Sequence, residues 1–251
     1  MQLQRLNMDN SWLVDFAQTR LLIDPWLGGE QIDGARWFSV QRHLSPPLAP
    51  KELPPHDLVV ITQSYSDHFH HETLLELAPE HVLAPKALLK PIKRLLPASK
   101  VTPLSAHTPS PFKALRFTLI PHDMTLGPNF HALVIDDGSE SIVFAPHGLP
   151  KLKAMGAMPR CKLLMTTFNT YQLPRLLGGT IAPGTEQLER LVEVLEPEFV
   201  IRTHDEIKEA QGLVSRLAKV SNPSDEEALK LPYLSERFIP VDHYRPFTVE
   251  A

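Results

Sequence analysis

The stretch Leu58-Val59-Val60-Ile61-Thr62-Gln63-Ser64-Tyr65-Ser66-Asp67-His68-Phe69-His70-His71 (LVVITQSYSDHFHH) decides how the chain is read. Its opening residues, Leu58 to Thr62, form a short apolar run, as in a strand buried on both faces. From His71 to Ala78 the spacing turns helical, with Leu74, Leu77 and Ala78 on one face. Between strand and helix stands the pair Asp67-His68, a carboxylate and an imidazole suited to a metal ion. At the same alternating spacing before that pair stand Gln63 and Tyr65. An amide is a poor ligand for a divalent transition metal, and a phenol at neutral pH is mostly protonated. The motif is therefore either an altered metal site or the remnant of one.

Three further apolar strands end in a similar way. Leu115 to Ile120 runs into Pro121-His122-Asp123, Ser141 to Ala145 into Pro146-His147-Gly148, and Phe199 to Thr203 into His204-Asp205. Strand ends on one rim of an α/β structure are where ligands usually bind. Imidazoles and a carboxylate together suit zinc, iron or manganese. A lone histidine at a strand end is more often a hydrogen-bonded structural residue. His43, His56, His81, His107, His131 and His243 are read so, and His70 and His71 as surface or capping residues.

Elsewhere, Ser11 to Phe16 and Leu21 to Ile23 flank a polar turn and predict a hairpin, stopped by Asp24-Pro25-Trp26. Residues 28 to 56 read as a long loop. Helices are expected over 86–96, Gly184 to Leu195 and Ile207 to Val220, and strands over Ala132 to Ile135, Leu163 to Thr167 and Arg237 to Val241. This order suits helices packed outside a sheet or a pair of sheets, and periodicity leaves both open.

The chain has 251 residues, enough for one large domain or two small ones, with a formal net charge of −4. No sustained basic run is present, which argues against binding nucleic acid through phosphate neutralisation. The single cysteine, Cys161, excludes an intrachain disulfide and fits a reducing compartment. No apolar stretch approaches the roughly 20 residues that span a bilayer. The expectation is a cytoplasmic protein with a small-molecule substrate or ligand, no membrane or nucleic-acid partner, and scope for a homo-oligomer.

Taken in order, these segments resemble the metallo-β-lactamase superfamily, in its lactonase-like metallohydrolase branch. SWLVDFAQTRLLIDPWL resembles that branch's opening hairpin, and ITQSYSDHFH sits where the family carries His-x-His-x-Asp-His. The resemblance implies a four-layer αββα sandwich over residues 1–251 as one domain, with two pseudo-symmetric halves dividing near 140–165. It also implies two metal sites. Of the first, only His122 remains, because Gln63 and Tyr65 replace two ligands. Of the second, Asp67, His68 and His204 are all present. The bridging carboxylate falls at or near His147, and a neutral imidazole offers one lone pair and does not bridge two metals.

One divalent ion at most is expected, held by Asp67, His68 and His204. His147 would be a fourth ligand or general base, and His122 a nearby donor. Asp67, His147 and Tyr65 are then the catalytic candidates, with Tyr65 donating to an oxyanion and Gln63 orienting it. Ester, lactone and phosphoester are the substrate classes left open. On the alternative reading the chain is a metal-free, catalytically inactive binding protein. Asp67 would then cap the following helix, and the four histidines would form a hydrogen-bonded cluster. Residues 168–184 read as a lid, a packed loop or a dimer contact. Arg175 reads as a contact for an anionic substrate or as a solvated surface residue, and Trp26 and Trp37 as lining the cleft entrance or as packing anchors for the long loop.

Overall fold

The fold is taken from a computed structural model that describes residues 1–106, 108–122, 130–148, 150–154 and 158–250. His107 and Asp123 lie outside the described residues. Two large sheets face one another. The first runs Phe247–Thr248, Gln2–Arg5, Trp12–Phe16, Thr19–Ile23, Leu58–Val60, His81–Pro85, Lys100–Leu104. The second runs Phe199–Arg202, Arg160–Thr166, Glu140–Ala145, His131–Asp136, Leu115–Pro121, Ser110–Phe112. Each sheet is antiparallel on one side and parallel on the other. The change of sheet falls between Leu104 and Ser110, earlier than the division expected near 140–165.

Strand alternation builds the layers. Leu21, Ile23, Leu58 and Val60 meet Leu133, Ile135, Ile142, Phe144, Leu163 and Met165 in a core between the sheets. Their chain neighbours point outward. Leu22, Val59 and Val82 pack under Leu74 of helix His71–Leu77 and Ile92 of helix Leu89–Leu95. Val134, Val143, Leu164 and Val200 pack under Leu188, Leu191 and Val192 of helix Thr185–Leu195. Because side chains alternate with period two, a strand apolar on both faces must be covered on both. Helix, sheet, sheet and helix therefore stack as the expected αββα sandwich.

The opening hairpin closes through Ala17 and Gln18, both left-handed (φ 44° and 58°), so Phe16 pairs Thr19 across a two-residue turn. Helix His71–Leu77 is capped by His70, whose Nδ1 accepts from the Thr73 N–H at 3.3 Å, so Asp67 is not its cap.

Two expected elements differ. Ile207 to Val220 is helical only over Leu213–Leu217. Gly212 (φ 105°) breaks the segment, and its flanks are drawn into small sheets, Glu209–Gln211 onto Val40–Arg42 and Lys219–Ser221 onto Thr170–Gln172. Those pairings also give structure to the loops read as irregular at 28–56 and 148–184. Arg237 to Val241 makes only the bridge Phe238↔Val200, since Pro240 lacks the N–H needed to extend the ladder. Among the described residues, no helix is long and apolar enough to cross a membrane.

Phe117 is fully buried between the sheets. Phe117→Ala is expected to lower unfolding stability by about 3–5 kcal/mol, read from urea midpoints. Leu176→Ala, at a residue 98% exposed, is expected to change it by less than about 0.5 kcal/mol.

Candidate metal centre

Parallel register delivers the first half of the site. Ile23 pairs with Val60, so Asp24 and Thr62 leave adjacent strands at one rim. Asp24, at φ 44°, accepts from the Thr62 N–H (2.7 Å) and the Thr62 hydroxyl (2.5 Å). Its Oδ2 then lies 2.7 Å from Nδ1 of His68, and both side chains are fully buried. A carboxylate only accepts, so the His68 Nδ1 carries the proton and Nε2 is left as a donor atom. That Nε2 is 3.7 Å from Asp67 Oδ2.

The second sheet delivers the other half by the same logic. Strands Glu140–Ala145, Arg160–Thr166 and Phe199–Arg202 are parallel, and their ends carry His147, Thr167 and His204. His204 is left-handed (φ 61°), fixed where its N–H donates to the Asp9 carbonyl at 2.9 Å. Its Nδ1 sits 3.2 Å from Asp9 Oδ1 and its Nε2 3.8 Å from Asp67 Oδ2. Asp9 in turn pairs with Lys208 at 2.7 Å. Each histidine thus has a carboxylate behind it and turns Nε2 towards the same Asp67 oxygen.

His68, His147 and His204 each place a ring nitrogen within 4.8 Å of the others. Asp9, Asp67 and His204 satisfy the same limit, but Asp9 is already paired with Lys208. Bonds of about 2.0–2.1 Å would put tetrahedral ligands roughly 3.3–3.5 Å apart, closer than the 3.7 and 3.8 Å between Asp67 Oδ2 and the two Nε2 atoms. Both nitrogens of His147, and Oδ1 of Asp67, are buried without a hydrogen-bond partner. Three buried or half-buried imidazoles, with the Asp67 carboxylate 3.7 and 3.8 Å from two of them, are donors of the kind that fits a transition-metal ion. His122 stands outside the group. Its ring centroid is 5.8 Å from that of His147, and both its nitrogens are unpartnered. The four histidines do not hydrogen-bond to one another among the described residues; His68 bonds instead to Asp24 and Asn10.

The electrostatics are unequal. Burial disfavours charge on His68, but Asp67 and Asp24 outweigh it and raise its pKa to about 9. Burial, with His204 and His68 beside it, pushes His147 well below the ordinary histidine range. Burial and His131 lower His122 to about 3. Burial opposes the charge of Lys208, and Asp9 and Asp67 more than restore it.

The group opens into a cleft of about 450 Å³. Tyr65 is in its wall, stacked on Phe130 (centroids 5.0 Å), whose edge meets His147 at 4.6 Å. Gln63 lies in the wall of a different cavity with Pro85 and Leu88, so it does not orient Tyr65 there. Segment 168–184 contributes Asn169, Tyr171, Leu177 and Ile181 to the cleft wall. Arg175 is exposed outside it, Trp26 is fully buried, and Trp37 is 71% exposed on a neighbouring surface. Asp9, Asp33, Asn169 and Lys208 were not singled out from the sequence. Asp24 was visible only as the end of a strand.

The family model of the beta-lactamase superfamily domain matches residues 19–204, and the chain belongs to that family. Among solved structures, the isothiocyanate hydrolase from Delia radicum gut bacteria is similar over 100% of both chains (TM-score 0.72, 16% identity). A possible metal-dependent hydrolase from Veillonella parvula is similar over 99% of both (0.75, 12%). Igni18, a metallo hydrolase from Ignicoccus hospitalis, is similar over 100% of both (0.65, 15%). At these identities the likeness establishes the fold. No curated protein sequence matches the chain significantly.

A histidine raised to about 9 adds stability that is complete below its unfolded pKa of about 6.5 and lost as pH rises through 9. Chelator-treated protein is therefore expected to lose melting temperature between about pH 6.5 and 9. Asp24→Asn, by weakening the pull on the proton, should flatten that slope. A parallel slope in the variant would contradict the assignment.

Proposed function

We propose that this chain is a hydrolase working with a single divalent ion held by His68, His147, His204 and Asp67. The observation that carries the reading is the convergence of these donors, two of them backed by buried carboxylates, on one face of a cleft. A metal ion there would supply Lewis acidity, polarising a carbonyl and activating water. Zinc, iron and manganese all suit the donor set.

The chain's own groups supply the rest. Asp67 keeps Oδ1 unpartnered at the cleft, placed to take the proton of an attacking water. The water oxygen bonds to the acyl carbon, and the same carboxyl returns the proton to the departing oxygen. Burial, with Asp33 and Asp67 nearby, raises the pKa of Tyr65, so its phenol stays protonated and can donate to the developing oxyanion. His147, held neutral, keeps a lone pair available.

The cleft argues for an ester or lactone over a phosphoester. Its described wall carries Asp33, Asp67 and Glu206, and Lys208 as a cation already paired with Asp9. Its volume suits a small molecule. Protein purified without a polyhistidine tag is expected to hold about one ion per chain by mass spectrometry, and His204→Ala to hold none. Tyr65→Phe is expected to lower kcat on the best ester or lactone by roughly a hundredfold, with KM little changed. Metal-free protein that stays inactive after zinc, iron or manganese is supplied would sink the proposal.

A further inference from the structure

The cleft wall carries a carboxylate with no cationic partner among the described residues, and two residues whose amide oxygens have no hydrogen-bond partner. Asp33 lies in the cleft wall, its Oδ2 accepting from Gln31 Nε2 at 2.8 Å and its Oδ1 from the Ser66 hydroxyl at 3.2 Å. These bonds hold the carboxylate in place, yet no lysine or arginine pairs with it among the described residues. Because the Gln31 amide donates its nitrogen to Asp33, its oxygen is left over. Gln31 Oε1 is buried without a partner, in a residue 4% exposed. Asn169 Oδ1 is buried and unpartnered as well, in a residue 8% exposed. Both residues line the same cleft.

Buried polar atoms are ordinarily hydrogen-bonded, so two orphaned amide oxygens in residues that share a cleft wall with a cation-free carboxylate describe an unmet need for donors. Phe38, Tyr65, Phe130 and Tyr171 supply aromatic walls. Acceptors, negative charge and aromatic walls together match an alkylammonium group, which has three N–H donors and a positive charge and no acceptor. An anionic group would face the Asp33 carboxylate, with Lys208 already paired with Asp9. The nearest cation of the wall, Lys208, is neutralised by Asp9.

We propose that the cleft selects substrates bearing a protonated amine, with Asp33 as the specificity-determining residue and Gln31 and Asn169 completing the ammonium site. This rests on the hydrolase reading for its substrate class, but ammonium binding stands on its own geometry. The substrate is then an amino-ester or amino-lactone, its ammonium at Asp33 and its carbonyl at the Asp67 and histidine end.

Calorimetric titration with benzylamine, benzyl alcohol and benzoate at pH 7 tests it. Benzylamine is expected to bind at least roughly tenfold tighter than the other two. Asp33→Asn and Asn169→Leu should each weaken benzylamine severalfold and leave benzyl alcohol within about twofold. His204→Ala should retain the preference, which separates the ammonium site from amine ligation to a metal. Equal binding of the three probes, a preference unchanged in Asp33→Asn, or one lost in His204→Ala would overturn the proposal. An intact amine preference in a protein that hydrolyses no ester or lactone would instead leave the ammonium site standing and remove the hydrolase reading.

Discussion

The hydrogen bond between Asp24 and His68, 2.7 Å long and shut away from solvent, is the constraint on which the site depends. It fixes which imidazole nitrogen carries the proton and therefore which one faces Asp67. Asp24 holds its place through the register of two parallel strands and through Thr62, which meets both carboxylate oxygens. The left-handed backbone at Asp24 is a local strain that those bonds offset. The second sheet repeats the device with different parts. His204 is also left-handed, is anchored by the Asp9 carbonyl, and has the Asp9 carboxylate behind its ring. Two rings, one from each sheet, are thereby oriented before any ligand arrives.

This preorganisation has an electrostatic consequence. Asp67, Asp24 and Asp9 together favour a second proton on the fully buried His68, at the Nε2 that a bound cation would take instead. The same negative charge would hold a cation. His147, buried out of water and beside His204 and His68, is kept neutral and ready to share its lone pair. Lys208 offsets part of the charge of Asp9, leaving Asp67 as the carboxylate turned to the cleft. In the same cleft, Asp33 and two amide oxygens leave a further demand for positive charge unmet.

Much of the sandwich was legible because its signals are local. Leu58 to Thr62, Ser141 to Ala145 and Phe199 to Thr203 each show an apolar run ending on a polar residue, and each proved a strand ending at the rim. The convergence of Asp67, His68, His147 and His204 followed from those ends. What stayed hidden depends on long-range pairing. Asp9 lies in an unremarkable turn before the first hairpin and meets His204 only through the folded chain. Lys208 sits in a segment whose spacing reads as helix, and sheet pairing with Val40–Arg42 overrides that local preference. Asp33 belongs to a loop whose composition shows turns and nothing else. Gln63, at a position that suggested partnership with Tyr65, faces a different cavity because the chain leaves extended geometry between them.

X-ray absorption at the metal edge of zinc-loaded protein tests the central claim most directly. The account requires a shell of nitrogen and oxygen with the outer scattering of three imidazoles, reduced to two in His147→Ala, and no metal–metal distance near the roughly 3.5–4 Å of a two-metal site. A metal–metal vector at that distance, or a spectrum unchanged in His147→Ala, would contradict it.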